Sequence, residues 1–399
     1  MKILMVAPQP FFTPRGTPFS VYYRIWVACE LGHEVDLLTY GQGKKVEVPG
    51  CRVVRIPAFR WLGPVGVGPS LRKLFLDLFM MAWTVALLVR RRYDVVHAHE
   101  EAVFWCRWLK PVFGFRLVYD MHSSLPQQLH NFQFTKSRAL HWLFDRLEKS
   151  ALEQADAVIT ICPALTEYVA RITETDKLVL IENSLHDVVR LASTDGDCAG
   201  QIPEGDRLNA VDEWLRSRHP ERVIAYAGTL EVYQGIDMLL EAFSRVAEQV
   251  PLSGLLVVGG SPKEVEHFRG LAEKLALTDA VHFTGQLPQA EAQRLVTIAG
   301  VAVSPRITGN NAPMKIYQLM AEGITIVATR IESHTQILND DLAILSNVGT
   351  GELADAMMRA LSDREGARAM GRRAQQWYRE QYSKTAYTTK MRKLLSLVT

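Results

Sequence analysis

Residues 301 to 329 read VAVSPRITGNNAPMKIYQLMAEGITIVAT, and their order is strand, loop, helix, strand. Residues 301–303 are a short β-branched apolar run, followed by a polar loop that contains Gly309. Asn311 suits an N-cap, where a side-chain oxygen accepts from an early helical N–H. Pro313 suits the first turn, where a missing N–H costs no hydrogen bond. Ile316, Leu319 and Met320 fall at helical spacing, Gly323 ends the helix, and residues 324–329 are a buried strand. Such a unit places free N–H groups and the positive end of a helix dipole at the carboxyl edge of a parallel sheet. Open α/β sheets bind phosphate at that edge. Arg306 and Lys315 flank the helix start, so two cations and a helix N-terminus are expected to converge on one anion.

Working outward, the same alternation recurs in two blocks. KILMVAP, GHEVDLLTYG, a strand at 51–57, DVVHAH, RLVYDM, DAVITI and KLVLIEN read as strands of a first block. VIAYAGT, SGLLVVGGS, AVHFTG, the stretch quoted above and AILSN read as strands of a second, separated by amphipathic helices. Between the blocks, residues 184–221 are polar and irregular and read as a linker. Alternating βα units in two halves predict an α/β protein with two doubly wound parallel sheets, each covered on both faces. A length of 399 residues also suits two domains. From Lys384, the residues Tyr387, Met391, Leu394 and Leu395 share one helical face and predict a packed terminal helix.

Composition is that of a globular protein, 48% hydrophobic and 22% charged, with no low-complexity run. Five cysteines (Cys29, Cys51, Cys106, Cys162, Cys198) are scattered without metal-ligand spacing and read as small buried hydrophobes in a reducing compartment. Residues 2–7 already form a strand, so no signal peptide is expected. Net charge is only +2, yet residues 1–110 carry +7 and the remainder −5. A basic first third predicts an anionic partner surface, a membrane being one, and the modest total argues against nucleic acid. The apolar stretch 74–89 is interrupted by Asp77 and is shorter than the ~20 residues that span a bilayer. It reads as a helix either buried in the domain or facing a membrane, with Arg60, Arg72, Lys73, Arg90, Arg91 and Arg92 around it. Trp61, Val65 and Val67 precede it in a Gly/Pro-rich loop.

Histidines supply the remaining polar signals. His97 and His99 alternate on one face of a strand; with no third ligand nearby in sequence, they read as polar groups lining a cleft. His122 lies at the carboxyl end of the next strand, the functional edge of the sheet. Gly16, between Arg15 and Thr17 and ahead of a helix, marks a place where backbone can approach a ligand.

The segment Pro-Met-Lys-Ile-Tyr-Gln-Leu-Met-Ala-Glu-Gly at 313–323, with the βα order around it, resembles the donor-site signature of the GT-B retaining glycosyltransferases of family 4 (group 1). The resemblance runs over nearly the whole chain. It implies two Rossmann-like domains facing a central cleft: 1–205 for the acceptor, 206–383 for a nucleotide-sugar donor, and a helix at 384–399 crossing back to the first. It implies His122 as the catalytic residue acting on the transferred sugar. Donor contacts are expected from Gly16, Gly228, Thr229, Gln234, Gly285, Arg306, Asn310, Asn311, Lys315 and Gln318. Acceptor or cleft contacts are expected from Arg15, Thr17, His99 and Glu100.

The chain also departs from that pattern. The family's Glu-x7-Glu pair falls on Asn310 and Gln318, and its Arg and Lys after the first strand of the second domain fall on Thr229 and Gln234. The expectation is compensation, with Arg306 and Lys315 supplying the charge. The alternative is a catalytically decayed GT-B protein acting as a binding or activating subunit. No motif of the non-hydrolysing epimerases that share this fold is found. The resemblance further implies no cofactor and no metal, a nucleotide sugar as co-substrate, and a glycan or lipid-linked acceptor. It implies a cytoplasmic protein, peripheral on the inner face of the membrane.

Overall fold

The computed structural model describes residues 1–12, 16–63, 70–124, 138–184, 204–309 and 312–399. The chain forms two compact units, Met1–Asn183 with Lys384–Thr399, and Ser184–Ser383.

Unit 1 runs β1 (Lys2–Ala7), α1 (Gly16–Glu30), β2 (Glu34–Thr39), β3 (Cys51–Arg55), α2 (Leu71–Arg90), β4 (Val95–His99), α3 (Val103–Phe113), β5 (Arg116–Met121), α4 (Arg138–Gln154), β6 (Ala157–Thr160), α5 (Pro163–Ala170) and β7 (Leu178–Leu180). Its strands form one parallel sheet in the order β3-β2-β1-β4-β5-β6-β7. The strands are near-continuous apolar runs because helices cover them, so Leu4, Val6, Val96, Leu117 and Val158 are all buried.

Unit 2 runs α6 (Glu204–Ser217), β8 (Val223–Ala227), α7 (Ile236–Gln249), β9 (Gly254–Val258), α8 (Pro262–Lys274), β10 (Val281–Gly285), α9 (Gln289–Ala299), β11 (Val301–Ser304), α10 (Met314–Ala321), β12 (Thr325–Thr329), α11 (Glu332–Thr335), β13 (Ile344–Ser346), α12 (Thr350–Ser362) and α13 (Arg364–Gln381). Its sheet order is β10-β9-β8-β11-β12-β13. The last helix, α14 (Lys384–Ser396), belongs to unit 1 and buries Tyr387, Met391, Leu394 and Leu395 there.

Two sequence expectations need correction. The supposed linker contains a helix, α6, whose Val211 and Leu215 are buried against unit 2 while Trp214 Nε1 donates to Asp279 O at 3.0 Å. Its apolar residues are sparse, so the polar majority hid the four-residue repeat. In α10 the first helical residue is Met314, with Pro313 as the N-cap in an extended conformation. The proline therefore stands one place earlier than expected, and no side chain caps the helix. Asn310 and Asn311 lie outside the described residues, as do Arg15, Val65 and Val67.

Each sheet has one place where the strand order reverses, β1/β4 in unit 1 and β8/β11 in unit 2. Crossovers leave the sheet in opposite directions there, which opens a crevice at the carboxyl ends of those two strands. Most of the candidate site residues gather at these two places, with Gly285 on the edge strand β10.

Candidate functional site

In unit 1, β1 leads to α1, whose first residues are Gly16 and Thr17, and β4 ends on His99, with Glu100 next in the chain. On the neighbouring β5, Asp120 lies in register with His99, and His122 follows the strand. Alternation puts His97 and His99 on one face of β4, and Asp120 and His122 on one face of β5. All four are buried.

Asp120 is the hub. Its Oδ2 takes Arg24 Nε at 3.0 Å and His97 Nε2 at 3.0 Å, and lies 3.4 Å from His99 Nδ1. Its Oδ1 faces His122 Nε2 at 3.3 Å. Arg24 and Asp120 are both 0% exposed. Burial alone would push the Asp120 carboxyl up, but the Arg24 guanidinium, with His99 and His122, outweighs it and holds Asp120 well below the usual range. Arg24 completes its hydrogen bonding with the Ile181 carbonyl at 2.9 Å and the Tyr387 hydroxyl of α14. Burial keeps His97 and His99 neutral, pulling the latter well down. Neither ring nitrogen of His99 makes a hydrogen bond among the described residues.

A third ligand candidate therefore does lie near His97 and His99, contrary to the sequence expectation. His97, His99 and Asp120 each offer an atom within 4.8 Å of the others. Strand pairing brings Asp120 there from 21 residues away, beyond the reach of local spacing. Arg24 already neutralises the oxygen that both histidines face, so the cluster carries its own cation. Glu100, at the β4 end, has φ +46°, and burial together with Glu101 raises its carboxyl. Lys73 of α2 pairs with Glu101, and burial with the Glu101 charge lifts Asp77 to about 7.

In unit 2 the loop after β8 carries Gly228, Thr229 and Gln234, and the loop after β11 carries Arg306. Lys315 lies in the first turn of α10. The structure brings these together. Lys315 Nζ sits 4.3 Å over the Tyr226 ring, and a Cβ added to Gly228 would stand 3.6 Å from it. The Arg306 guanidinium stacks on Tyr233 at 5.1 Å. The stem of Lys315 is partly exposed but its Nζ is buried and has no hydrogen-bond partner among the described residues. Burial, then the Arg306 charge, lowers Lys315 to about 7. Burial also lowers Arg306.

The two loops are locked together. Ile307 N donates to Tyr233 O at 3.0 Å. Gly235, at φ +70°, lies so close to the other loop that a Cβ would stand 2.2 Å from Pro305 O. Any other residue there would force the loops apart. Gln234 is buried and reaches Thr229 Oγ1 at 3.4 Å, so the pair that replaces the family's cations forms a neutral contact. Gly285 ends β10 at φ +67°, where its carbonyl accepts from Gly259 N at 2.9 Å. Gln318 lies one turn beyond Lys315 on α10 and is partly buried. Sequence reading missed Arg24, Asp120, Tyr226, Tyr233 and Tyr387. Asp120 alone left a signal, a lone acid inside an apolar strand two residues before His122.

Known proteins share this fold. Residues 26–184 match the family model for a glycosyl transferase 4-like domain, and residues 212–377 match that for glycosyl transferases group 1. The sucrose-phosphate synthase of Thermosynechococcus elongatus superposes with a TM-score of 0.72 at 21% identity, over 99% of this chain and 98% of that one. Anabaena HepE, solved with UDP and glucose, superposes with a TM-score of 0.71 at 15% identity over 99% of each chain. Two Rossmann-like parallel-sheet domains of this kind are the GT-B fold. Within that class the chain belongs to the group 1 glycosyltransferases. A phosphatidyl-myo-inositol mannosyltransferase of Mycobacterium tuberculosis is 26% identical over 348 residues, 85% of this chain and 80% of its own length. Among the described residues, no helix is long and apolar enough to cross a membrane.

Proposed function

We propose that the chain is a retaining, metal-independent glycosyltransferase that moves a sugar from a nucleoside diphosphate to a lipid-linked or cell-envelope glycan acceptor. One observation carries this reading. The buried Lys315 ammonium, without a hydrogen-bond partner among the described residues, sits beside Arg306 at the β8/β11 reversal. A buried cation is costly until something anionic joins it. A diphosphate does so, and glycosyl transfer builds negative charge on that phosphate as the sugar becomes cationic. Arg306 and Lys315 thus take over from the cations that Thr229 and Gln234 replace. Asn310 and Gln318 hydrogen-bond sugar and ribose hydroxyls in place of the family's glutamates. His122 acts on the transferred sugar. Gly16 contacts the donor, while Thr17, His99 and Glu100 serve the acceptor side.

The donor class draws support from HepE, solved with UDP and glucose, and the acceptor class from the mannosyltransferase, whose name gives it phosphatidyl-myo-inositol. A membrane acceptor also suits α2. Leu74, Leu78 and Val89 on its outward face are 60%, 57% and 70% exposed, and Trp61 ahead of it is 74% exposed. Arg72, Arg90 and Arg92 are exposed beside them. Arg91 and Lys73, which sequence reading counted with these cations, are engaged by Glu34, Asp36 and Glu101. On this reading the protein is a peripheral enzyme on the cytoplasmic face of the membrane.

A nucleotide-sugar panel, scored for binding and for slow hydrolysis, tests the reading. Each charge-assisted contact is worth ~1.5–3 kcal/mol, so Arg306→Ala and Lys315→Ala should each weaken donor binding by about one to two orders of magnitude. Unchanged affinity in both variants defeats it. The substitutions at Thr229 and Gln234 favour a second reading, a decayed binding subunit. Tight donor binding with neither hydrolysis nor transfer would establish that one instead.

A further inference from the structure

Behind Arg306 lies a buried histidine with no part in the reading above. His334, on the short helix α11, is 0% exposed. Its Nε2 is 2.9 Å from Ser304 Oγ, and its Nδ1 is 2.8 Å from Thr329 O and 3.2 Å from Thr329 Oγ1. Ser304 is the last residue of β11 and Thr329 the last of β12, so one ring ties together the ends of two neighbouring strands. Thr329 Oγ1 then donates to the Arg306 carbonyl. Burial, with the Lys315 and Arg306 charges, keeps the ring neutral at ordinary pH, its group lowered to about 4. In that form Nδ1–H donates to the Thr329 carbonyl and Nε2 accepts the Ser304 hydroxyl, leaving no ring nitrogen unmatched.

We propose that His334, acting through Ser304 and Thr329, is a positioning residue that fixes the Arg306 backbone so that its guanidinium meets the donor phosphates beside Lys315. The proposal rests on the donor reading above. Three supports converge on this loop: Thr329 on the Arg306 carbonyl, Tyr233 O on the Ile307 amide, and the Tyr233 ring under the guanidinium. Of these, the first leads to the His334 ring, which is fully buried. A loop held before binding loses less freedom when the ligand arrives, so loosening it should appear as affinity.

The test is a double-mutant cycle on the full-length protein, with UDP and a UDP-sugar as probes and thermal unfolding recorded for every variant. Arg306→Ala should weaken binding more than tenfold. His334→Asn keeps a donor for the Thr329 carbonyl and loses the Ser304 contact; Thr329→Val loses the hydroxyl on Arg306. Each should weaken binding about three- to tenfold, the value of one hydrogen bond. Thr329→Ser, which restores the hydroxyl, should bind as the parent does. The deciding result is coupling: in the Arg306→Ala background neither change should weaken binding further. Losses that simply multiply, or parental affinity in both His334→Asn and Thr329→Val, overturn the proposal while the donor reading stands. If Arg306→Ala itself binds normally, this inference falls, and Lys315→Ala decides whether the donor reading falls with it. Should His334→Asn not fold, the Thr329 pair decides alone.

Discussion

The two strand reversals handle buried charge in opposite ways. In unit 1 Arg24 and Asp120 are matched inside the fold, and the histidines are arranged around the matched pair. In unit 2 Lys315 Nζ is buried next to a second cation and has no hydrogen-bond partner among the described residues. A matched pair is architecture, because removing either member strands the other in a medium that solvates it poorly. A cation without a counter-charge adds little to a ligand-free fold, and its value appears when an anion binds. Burial and charge alone therefore do not mark a functional group; the lack of a partner does.

The sharpest break of this contrast is at His122. It touches the matched pair, so His122→Ala should lower turnover by about a hundred- to thousandfold, the usual range for one preorganised hydrogen-bonding group, with little change in melting temperature. A large stability loss with normal specific activity would move His122 to the architectural side. Asp120→Ala should do the reverse of Lys315→Met. Leaving Arg24 buried alone costs about 3–5 kcal/mol, whereas an apolar chain of similar length at 315 should be neutral or stabilising. Denaturant midpoints, followed separately for each unit by hydrogen exchange, would compare the two.

The contrast extends to the surfaces. The outward positions of α7 are Asp237, Glu241, Arg245 and Glu248, whereas those of α2 are Leu74, Leu78 and Val89. At about 1 kcal/mol per near-surface cation, Arg72, Arg90 and Arg92 together contribute roughly 3 kcal/mol against an anionic leaflet. Sedimentation with anionic vesicles should therefore pull the protein down at low salt and release it at high salt. Binding to neutral vesicles alone, or none at all, would remove the case for a membrane acceptor.

The smallest effect is a matter of pH. With Lys315 lowered to about 7, affinity for a nucleotide sugar should fall roughly fivefold from pH 7 to pH 8 as the ammonium deprotonates. The diphosphate of such a donor carries no group that titrates in this interval. Stability of the ligand-free protein should move the other way. Between the lowered folded value and the ordinary lysine range the unfolded chain holds the extra proton, so Lys315 makes stability rise with pH across that window. Lys315→Met should abolish both trends, and calorimetry beside thermal unfolding would show whether it does.

Most of the architecture was legible because parallel strands buried on two faces are continuous apolar runs, and most of the thirteen described strands are of this kind. α6 escaped because few of its residues are apolar. Within the sites, Arg306, Lys315 and His122 could be named from local context alone, each standing beside a strand end or a helix start. Arg24, Asp120 and Tyr387 could not, since their meaning lies in contacts 96 and 363 residues apart along the chain. His334 was hidden for a related reason: the short element that carries it matters only through the strand ends it joins.

The return of α14 to unit 1 bears on how the protein is made. The Tyr387 hydroxyl that finishes the hydrogen bonding of Arg24 is translated after the whole of residues Ser184–Ser383. At bacterial or eukaryotic elongation rates that interval is about 10–40 s, during which unit 1 must hold its charged centre with one face open. A chaperone or a docked membrane would find it in that state, and the domain begun first is the last to be finished.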